Sequence, residues 1–242
     1  MTPENKLALV TGSGVRVGRA IALALADAGM NVAVHYAHSS READDTVAEI
    51  RKRGRKSESF AAALDRPGEP EKLMDAVAAK MGAPDVLVNS AAIMQRTPLG
   101  EVTYEQWDAT MNLNLRAPFF LSQAAAKVMR ARGGVIVNIA DLAAFETWSG
   151  YIPHSISKAG VVQMTRALAH TLVPQIRVNA IAPGVVLLPE GWPEDSKKNL
   201  VETTPLKRLG TPDDVTQALL YLIRADFVTG ETIIVDGGRH VR

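Results

Sequence analysis

Short apolar runs alternate with amphipathic segments along the whole of this 242-residue chain. The apolar runs are bounded by glycine, proline or polar residues and predict β-strands at about residues 7–11, 31–36, 57–62, 85–89, 134–140, 175–180 and 232–236. The segments between them repeat apolar positions with helical spacing and predict helices at about 17–29, 41–54, 69–81, 105–130, 153–171 and 212–224. This regular alternation predicts an α/β protein with a parallel sheet covered by helices on both faces.

One long stretch, residues 183–212, departs from the alternation. It contains Pro189, Pro193 and Pro205, which oppose regular structure. Long irregular segments in a compact domain tend to bind ligands, so we expect a substrate flap here, with an ordinary surface loop as the alternative. No linker or shift in composition divides the chain, and residues 1–242 are therefore expected to form one domain.

Composition excludes several classes of function. Hydrophobic residues make up 47% and charged residues 22%, and the net charge of +1 provides no field that favours nucleic acid or a membrane surface. The absence of cysteine excludes disulfides, thiolate metal sites and a cysteine nucleophile. The five histidines lack ligand spacing with one another, so no metal site is expected. A short polar N-terminus and the lack of a long apolar run predict a cytoplasmic protein.

The first predicted strand runs directly into a glycine-rich turn, Thr11-Gly12-Ser13-Gly14-Val15-Arg16-Val17-Gly18, and a helix follows. A strand, such a turn and a helix together present backbone N–H groups and a helix N-terminus to a phosphate. In this interpretation Gly12 permits the tight turn, Gly14 leaves room for a pyrophosphate, and Gly18 lets the helix approach the strand. The pattern alone is a weak signal, because a turn of this kind can also be purely structural.

Residues after the second predicted strand indicate which dinucleotide is bound. An acidic residue there would bind the ribose 2′-hydroxyl of NAD, but the chain instead has His35, Tyr36, Ser39 and Ser40, followed by an arginine. These side chains suit a 2′-phosphate, and Arg16 in the first turn adds positive charge. The sequence therefore favours NADP or NADPH over NAD. The alternative is that Ser39 and Ser40 only cap the next helix.

Further motifs, in order along the chain, resemble those of the short-chain dehydrogenase/reductase family. They are Thr11-Gly12 with Gly18, Asp65, Asn89-Ser90-Ala91, Asn114, Lys158, Pro183-Gly184 and Val235-Asp236-Gly237-Gly238. The resemblance implies a single Rossmann-type doubly wound domain with a seven-stranded parallel sheet, a small-molecule substrate, hydride transfer with a nicotinamide cofactor, and a homotetramer. It also implies that Asp65 holds the adenine, that Lys158 holds the nicotinamide ribose, and that the remaining cofactor contacts include Gly12, Gly14, Arg16, Val17, Asn89, Ala91, Pro183 and Gly184.

Within that family the chain is most similar to the pteridine reductases. Those proteins also carry arginine at the position of Arg16, share the His35-Tyr36 segment, and have aspartate where most members have a catalytic serine, here Asp141. The family's tyrosine lies four residues before its lysine, and that position in this chain is His154. The resemblance thus implies a catalytic set of Asn114, Asp141, His154 and Lys158, with imidazole in place of a phenol.

Three interpretations of this altered site remain open. Asp141 and His154 can act together as a proton-donating pair, or Asp141 can donate alone, directly or through water. Alternatively, the chain binds its cofactor without turnover. In a further variant, an ordinary carbonyl or sugar dehydrogenase, Tyr151 replaces the missing phenol, although Pro153 suggests that the helix begins too late for this.

The expected substrate is a small, flat, unsaturated or carbonyl compound, reduced by NADPH in the manner of a pteridine reductase. Met94 follows the fourth predicted strand, where pteridine reductases place an aromatic residue against the pterin. Trp192 lies in the predicted flap and offers an aromatic ring. We therefore expect Met94, Tyr151 and Trp192 to contact the substrate, with plain packing as the alternative for each.

Overall fold

The computed structural model describes residues 1–189 and 191–241 as a seven-stranded parallel sheet with helices on both faces, so the predicted α/β fold is confirmed. The strands are β1 Leu7–Val10, β2 Asn31–Tyr36, β3 Ser57–Ala61, β4 Val86–Asn89, β5 Gly134–Ile139, β6 Ile176–Pro183 and β7 Thr232–Val235. The helices are α1 Arg16–Asp27, α2 Ser40–Lys52, α3 Glu69–Met81, α4 Tyr104–Met111, α5 Ala117–Met129, α6 Ile152–Leu172, α7 Glu194–Thr203 and α8 Pro212–Arg224.

The strands form because their side chains are apolar on both faces of the sheet. All four residues of β1 are buried, and they alternate between two cores. Val10 packs with Ile21 and Leu219 of α1 and α8, whereas Leu9 packs with Leu121 of α5 on the opposite face. A strand that buries both faces needs a continuous apolar run, which is the pattern that the sequence shows.

The strand order is β3-β2-β1-β4-β5-β6-β7, so the chain reverses direction across the sheet after β3. Connections leave β1 and β4 on opposite sides and open a crevice beyond the carboxyl ends of these two strands. In open parallel sheets, ligands bind in the crevice at this reversal. The fold therefore places the glycine-rich turn after β1 and the Asn89-Ser90-Ala91 segment after β4 on two walls of one cleft.

Two elements differ from the predicted pattern. The helix predicted over 105–130 is divided into α4 and α5 by a π-helical turn at Asn112–Arg116. The stretch 183–212, predicted to be irregular, contains the ten-residue helix α7. No helix in the described part of the chain is long and apolar enough to cross a membrane.

Candidate active site

A cleft of about 470 Å³ lies beyond the carboxyl ends of β1, β2 and β4. It collects nine of the predicted cofactor residues: Gly12, Gly14, Arg16, Val17, His35, Tyr36, Ser39, Asp65 and Ala91. The other predicted residues, Ser40, Asn89, Lys158, Pro183 and Gly184, lie outside its described lining. The structure thus brings the first turn, the end of β2 and the start of the β4–α4 connection to one cavity.

The glycine-rich turn depends on two of its glycines for close backbone approach. Gly12 has a φ of +63°, and a Cβ there would lie 3.0 Å from the Cα of Ala91. A Cβ on Gly18 would lie 2.1 Å from the carbonyl oxygen of Gly12. At Gly14 the added Cβ would instead meet the backbone nitrogen of Ala43 in α2 at 3.2 Å, so this glycine allows packing on α2 rather than clearing a pyrophosphate path.

Arg16 begins α1 in the left-handed backbone region, with a φ of +52°. This conformation favours glycine, and most proteins of the resembled family have glycine there. The Arg16 guanidinium donates from Nη2 to the carbonyl oxygen of Leu187 at 2.8 Å. The side chain therefore links the glycine-rich turn to the predicted flap while it also lines the cleft.

His35 is buried at the end of β2 and contributes no positive charge to the cleft. Gly12 N–H donates to its Nδ1 at 3.0 Å, and its Nε2 lies 3.1 Å from the Ala62 carbonyl oxygen. Burial lowers the pKa of His35 to about 4, against the opposing effect of the Ala62 hydrogen bond. The ring is therefore neutral at pH 7, and it contacts the glycine-rich turn directly.

The segment after β2 leaves a hydroxyl group available at the cleft. Ser39 occupies the N-cap position of α2, yet within the described chain its side chain makes no capping hydrogen bond to the helix. Ser39 and Tyr36 line the cleft, whereas Ser40 is exposed in the first turn of α2. Side-chain capping by Ser39 is therefore not observed, and its hydroxyl lies beside a helix N-terminus, where anions bind.

The wall formed by the β3 and β4 ends is held by hydrogen bonds between side chains and the backbone. Asp65 is exposed on this wall, and its backbone carbonyl accepts a hydrogen bond from Arg116. Thr11 Oγ1 accepts hydrogen bonds from the backbone N–H groups of Ser90 and Ala91, at 2.9 and 3.0 Å. These contacts hold the wall close to the glycine-rich turn.

Asn89 lies in the core rather than along the cleft. Its Nδ2 donates to Asn138 Oδ1 at 2.8 Å and to Ser122 Oγ at 3.1 Å. Its side-chain donors therefore join β4 to β5 and α5. Asn89 thus has a structural role in this structure, and its predicted contact with the cofactor stays a prediction.

Asn114 sits in the π-helical turn and holds the chain that follows β4. Its Oδ1 accepts from the Ile93 backbone N–H, and its Nδ2 donates to the Ile93 carbonyl, both at 2.9 Å. The same Nδ2 lies 3.2 Å from Ser157 Oγ and 3.4 Å from His154 Nδ1. A single amide thus aligns the cleft wall with the second turn of α6, and π-helical turns often occur at such functional positions.

His154 and Asp141 face each other at the start of α6. His154 Nε2 lies 3.6 Å from Asp141 Oδ2, and it has no hydrogen-bond partner among the residues that the structure describes. The His154 side chain is 4% exposed and that of Asp141 is 25% exposed. Asp141 is therefore the outer member of the pair, and its Oδ1 accepts a hydrogen bond from the Ala143 backbone N–H at 2.8 Å.

Lys158 lies one helical turn beyond His154 and is also buried. Its Nζ donates to the Ile139 carbonyl at the end of β5, at 2.8 Å. Burial lowers the pKa of Lys158 from 10.5 to about 8, and the charge of Asp141 acts in the opposite direction. The four predicted catalytic residues therefore converge at the carboxyl ends of β4 and β5.

The three predicted substrate residues do not form one described pocket. Tyr151 is the N-cap residue of α6, so the helix begins after it as expected from Pro153, and its ring meets Trp148 edge to face at 6.2 Å. Met94 is half exposed in the connection after β4. Trp192 lines a separate groove of about 310 Å³ with neighbouring residues of the 183–212 segment.

Pro183 ends β6 beside β7, and Gly184 follows it directly. Gly184 N–H donates to the Val235 carbonyl at 2.9 Å, and a Cβ on Gly184 would lie 2.8 Å from the Cβ of Asp236. This close approach explains why the residue is glycine.

Three residues that contribute to the site were not among the predicted site residues, although Thr11 belongs to a motif noted in the sequence. Ile93 acts through its backbone, which binds Asn114 and lies 3.2 Å from His154 Nδ1. Thr11 and Ser157 act through buried hydroxyl groups. A backbone contact leaves no sequence signal, whereas a hydroxyl directly before Gly12 and another directly before Lys158 offered a weak one.

The chain is similar to known proteins over nearly its full length. Residues 14–240 match the family model described as enoyl-(acyl carrier protein) reductase. The chain is 34% identical to the 3-oxoacyl-(acyl-carrier-protein) reductase FabG of Staphylococcus epidermidis, covering 98% of this chain and 100% of that protein.

Two solved structures extend this similarity to the fold. The angucycline C-6 ketoreductase LanV with bound NADP has a TM-score of 0.92 and 30% identity, covering 100% of this chain and 98% of that one. A blue fluorescent protein from a metagenomic library, solved in complex with NADPH, has a TM-score of 0.92 and 33% identity, covering 99% of each chain.

Proposed function

This chain belongs to the short-chain dehydrogenase/reductase family, and from that premise we propose that it is an NADPH-dependent reductase of carbonyl groups. The observation that carries the proposal is the match, over 98% of the chain, to a 3-oxoacyl reductase. The ketoreductase LanV, which covers the whole chain, supports the same class of substrate. These relatives favour the hypothesis of an ordinary carbonyl reductase over the hypothesis of a pteridine-reductase-like enzyme.

The cofactor is NADP(H), and the residues of the cleft fit it. Gly12 and Gly18 allow the close backbone approach that shapes the glycine-rich turn lining this cleft. Ser39, at the N-terminus of α2, and Arg16 line the same cleft and suit a 2′-phosphate, and the exposed Asp65 carboxylate suits the adenine amino group. Bound in this cleft, NADPH supplies the hydride that reduces a carbonyl carbon.

The proton for the carbonyl oxygen comes from the pair formed by Asp141 and His154. Asp141 is the more exposed of the two, so its protonated carboxyl group donates to the substrate oxygen. The buried His154, as imidazolium, then returns a proton from Nε2 to the Asp141 carboxylate and becomes neutral, and solvent reprotonates the pair after the product leaves. Their 3.6 Å separation exceeds an ordinary hydrogen bond by a few tenths of an ångström, as is common before a substrate binds. In this role His154 stands at the position of the family's tyrosine.

Lys158 and Asn114 support this pair. The ammonium of Lys158 stabilises the carboxylate that forms when Asp141 gives up its proton, and Lys158 is the residue that would hold the nicotinamide ribose. The Asn114 side chain holds the Ile93 backbone carbonyl and contacts the His154 ring at Nδ1. We place the substrate between this group and the 183–212 flap, where Met94, Tyr151 and Trp192 are the candidate contacts.

A pteridine-reductase-like activity is the second candidate function. Two observations favour it: Arg16 adopts the left-handed conformation that glycine would take more easily, and aspartate occupies position 141. Reduction of a C=N bond in a pterin-like ring also demands less of the proton donor than reduction of a ketone. A substrate panel distinguishes the two candidates.

We also propose that residues 1–242 act as one domain within a homotetramer. Large aromatic side chains remain exposed on α4 and α5, including Tyr104 at 87%, Phe119 at 40% and Phe120 at 37%. Exposed apolar surface of this kind is typical of an interface. Light scattering coupled to gel filtration measures the assembly, and a monomer would contradict this part of the proposal.

The test is NADPH oxidation at 340 nm with a 3-oxoacyl thioester, a cyclic ketone, a quinone and a dihydropterin. We expect turnover with the oxo compounds, and loss of about a hundredfold or more in Asp141→Ala. Tyr151→Phe is the matched control, because it tests the alternative proton donor while leaving Asp141 in place. NADPH binding without turnover of any of the four compounds would establish a binding protein instead.

A further inference from the structure

The ring of His35 joins the glycine-rich turn to the sheet. It is 2% exposed and receives the Gly12 N–H on Nδ1 at 3.0 Å, while Nε2 lies 3.1 Å from the Ala62 carbonyl oxygen. Both ring nitrogens are therefore used inside the protein. His35 reaches the cofactor site through the backbone of the turn.

The partners determine the tautomer of the ring. Gly12 N–H is a donor, so Nδ1 must keep its lone pair, and the hydrogen therefore resides on Nε2 and is donated to the Ala62 carbonyl. The low pKa of His35, about 4, keeps this arrangement intact at neutral pH. The ring is thus a bridge with a defined acceptor end and a defined donor end.

The neighbouring backbone strengthens this bridge. Ser13 N–H donates to the His35 carbonyl at 2.9 Å, and the His35 N–H donates to Ser13 Oγ at 3.2 Å. Gly12 itself has a φ of +63°, and a Cβ on it would lie 3.0 Å from the Cα of Ala91, so the turn requires glycine at this position. The imidazole is the side chain that satisfies the Gly12 N–H, and an apolar residue at position 35 would leave that donor without this partner.

We propose that His35 is a positioning residue for the cofactor: its Nδ1 holds the Gly12 peptide in the orientation that the dinucleotide phosphates require. Removal of this acceptor lets the turn relax and weakens NADPH binding, even where the fold persists. The inference rests on the NADP(H) site of the proposed function, but it concerns binding and does not depend on turnover.

Two amide substitutions separate the two ends of the bridge. In His35→Asn the side-chain oxygen lies near the position of Nδ1 and accepts from Gly12, but the side chain is too short to reach Ala62. In His35→Gln the longer side chain places its nitrogen near Nε2 for Ala62 and removes the acceptor close to Gly12. Each variant keeps one hydrogen bond and is polar, so each serves as the control for the other.

The readouts are the Kd for NADPH, from fluorescence titration, and the midpoint of urea unfolding. We expect His35→Asn to bind NADPH within about threefold of the wild type and His35→Gln to bind about tenfold more weakly, with similar midpoints for the two variants. Equal affinities, or weaker binding by the asparagine variant, overturn the proposal.

A second measurement covers the case in which His35→Gln does not fold. Amide hydrogen exchange of Gly12, measured by NMR in the wild type and in His35→Asn, must show protection in both proteins, and fast exchange in either overturns the proposal. Failure of the wild type to bind NADPH overturns this inference together with the proposed function. Binding without turnover overturns the proposed function alone.

Discussion

Replacement of Lys158 by methionine should stabilise the protein while abolishing its activity. The lysine is 5% exposed, and burial lowers its pKa from 10.5 to about 8. At about 1.4 kcal/mol for each pKa unit, the burial of the charged form costs about 3 kcal/mol at pH 7. The methionine variant avoids this cost but loses the hydrogen bond from Nζ to the Ile139 carbonyl, which stabilises the fold by about 1 kcal/mol. Lys158→Met should therefore be more stable than the wild type by about 2 kcal/mol.

The dependence on pH separates this effect from changes in packing. Between pH 8 and 10.5 the unfolded chain retains a proton on Lys158 that the folded protein has lost, so the stability of the wild type rises with pH in this range. The methionine variant lacks this titration. The advantage of Lys158→Met should therefore be full below pH 8 and should decrease as the pH approaches 10.5.

Urea unfolding of both proteins at pH 7, 8, 9 and 10 measures the difference, and Thr165→Val supplies a comparison for a buried change on the same helix that does not titrate. A difference between wild type and Lys158→Met that stays constant with pH would falsify the account of the lysine. A methionine variant less stable than the wild type at pH 7 would also contradict the account. It would mean that the interactions of the Lys158 ammonium in the folded protein outweigh the cost of its burial.

Four further substitutions test other parts of the site. Gly18→Ala should cost about 3 kcal/mol and abolish NADPH binding, because its Cβ would lie 2.1 Å from a backbone oxygen, whereas Gly14→Ala, at 3.2 Å, should cost less than about 1 kcal/mol in urea unfolding. Arg16→Gly relieves a left-handed φ and should raise stability by about 1 kcal/mol, yet raise the KM for NADPH several-fold, and an unchanged KM would remove Arg16 from the cofactor site. His154→Tyr should preserve or raise turnover of ketones, and complete loss would show that imidazole is specifically required.

The fold could be predicted because the apolar pattern records burial directly. All seven strands were found, since each buries both faces and carries a continuous apolar run. The π-helical turn at Asn112–Arg116 was not found, because the apolar spacing passes through it and the change lies in backbone hydrogen bonding. Helix α7 was missed because Pro193 and Pro205 flank it, and prolines outside a helix resemble prolines that break one.

The site could be predicted as a set of residues, but not as an arrangement. Motif spacing brought Asp141, His154 and Lys158 together, since two of them share a face of α6. The direction in which a side chain points could not be predicted from the sequence. His35 and Asn89 both lie at strand ends, where cofactor contacts were expected, but their side chains turn inward. Burial of polar groups depends on partners from distant elements, such as Ala62 for the imidazole, and these appear only in the folded protein.

A crystal structure with NADP⁺ and an alcohol product tests the central claim most directly. We expect the Asp141 carboxyl group within hydrogen-bond distance of the product hydroxyl, with His154 Nε2 directly behind it and the carbinol carbon facing the nicotinamide. A product hydroxyl bound instead by Tyr151, or a nicotinamide from which Asp141 and His154 both point away, would contradict the account.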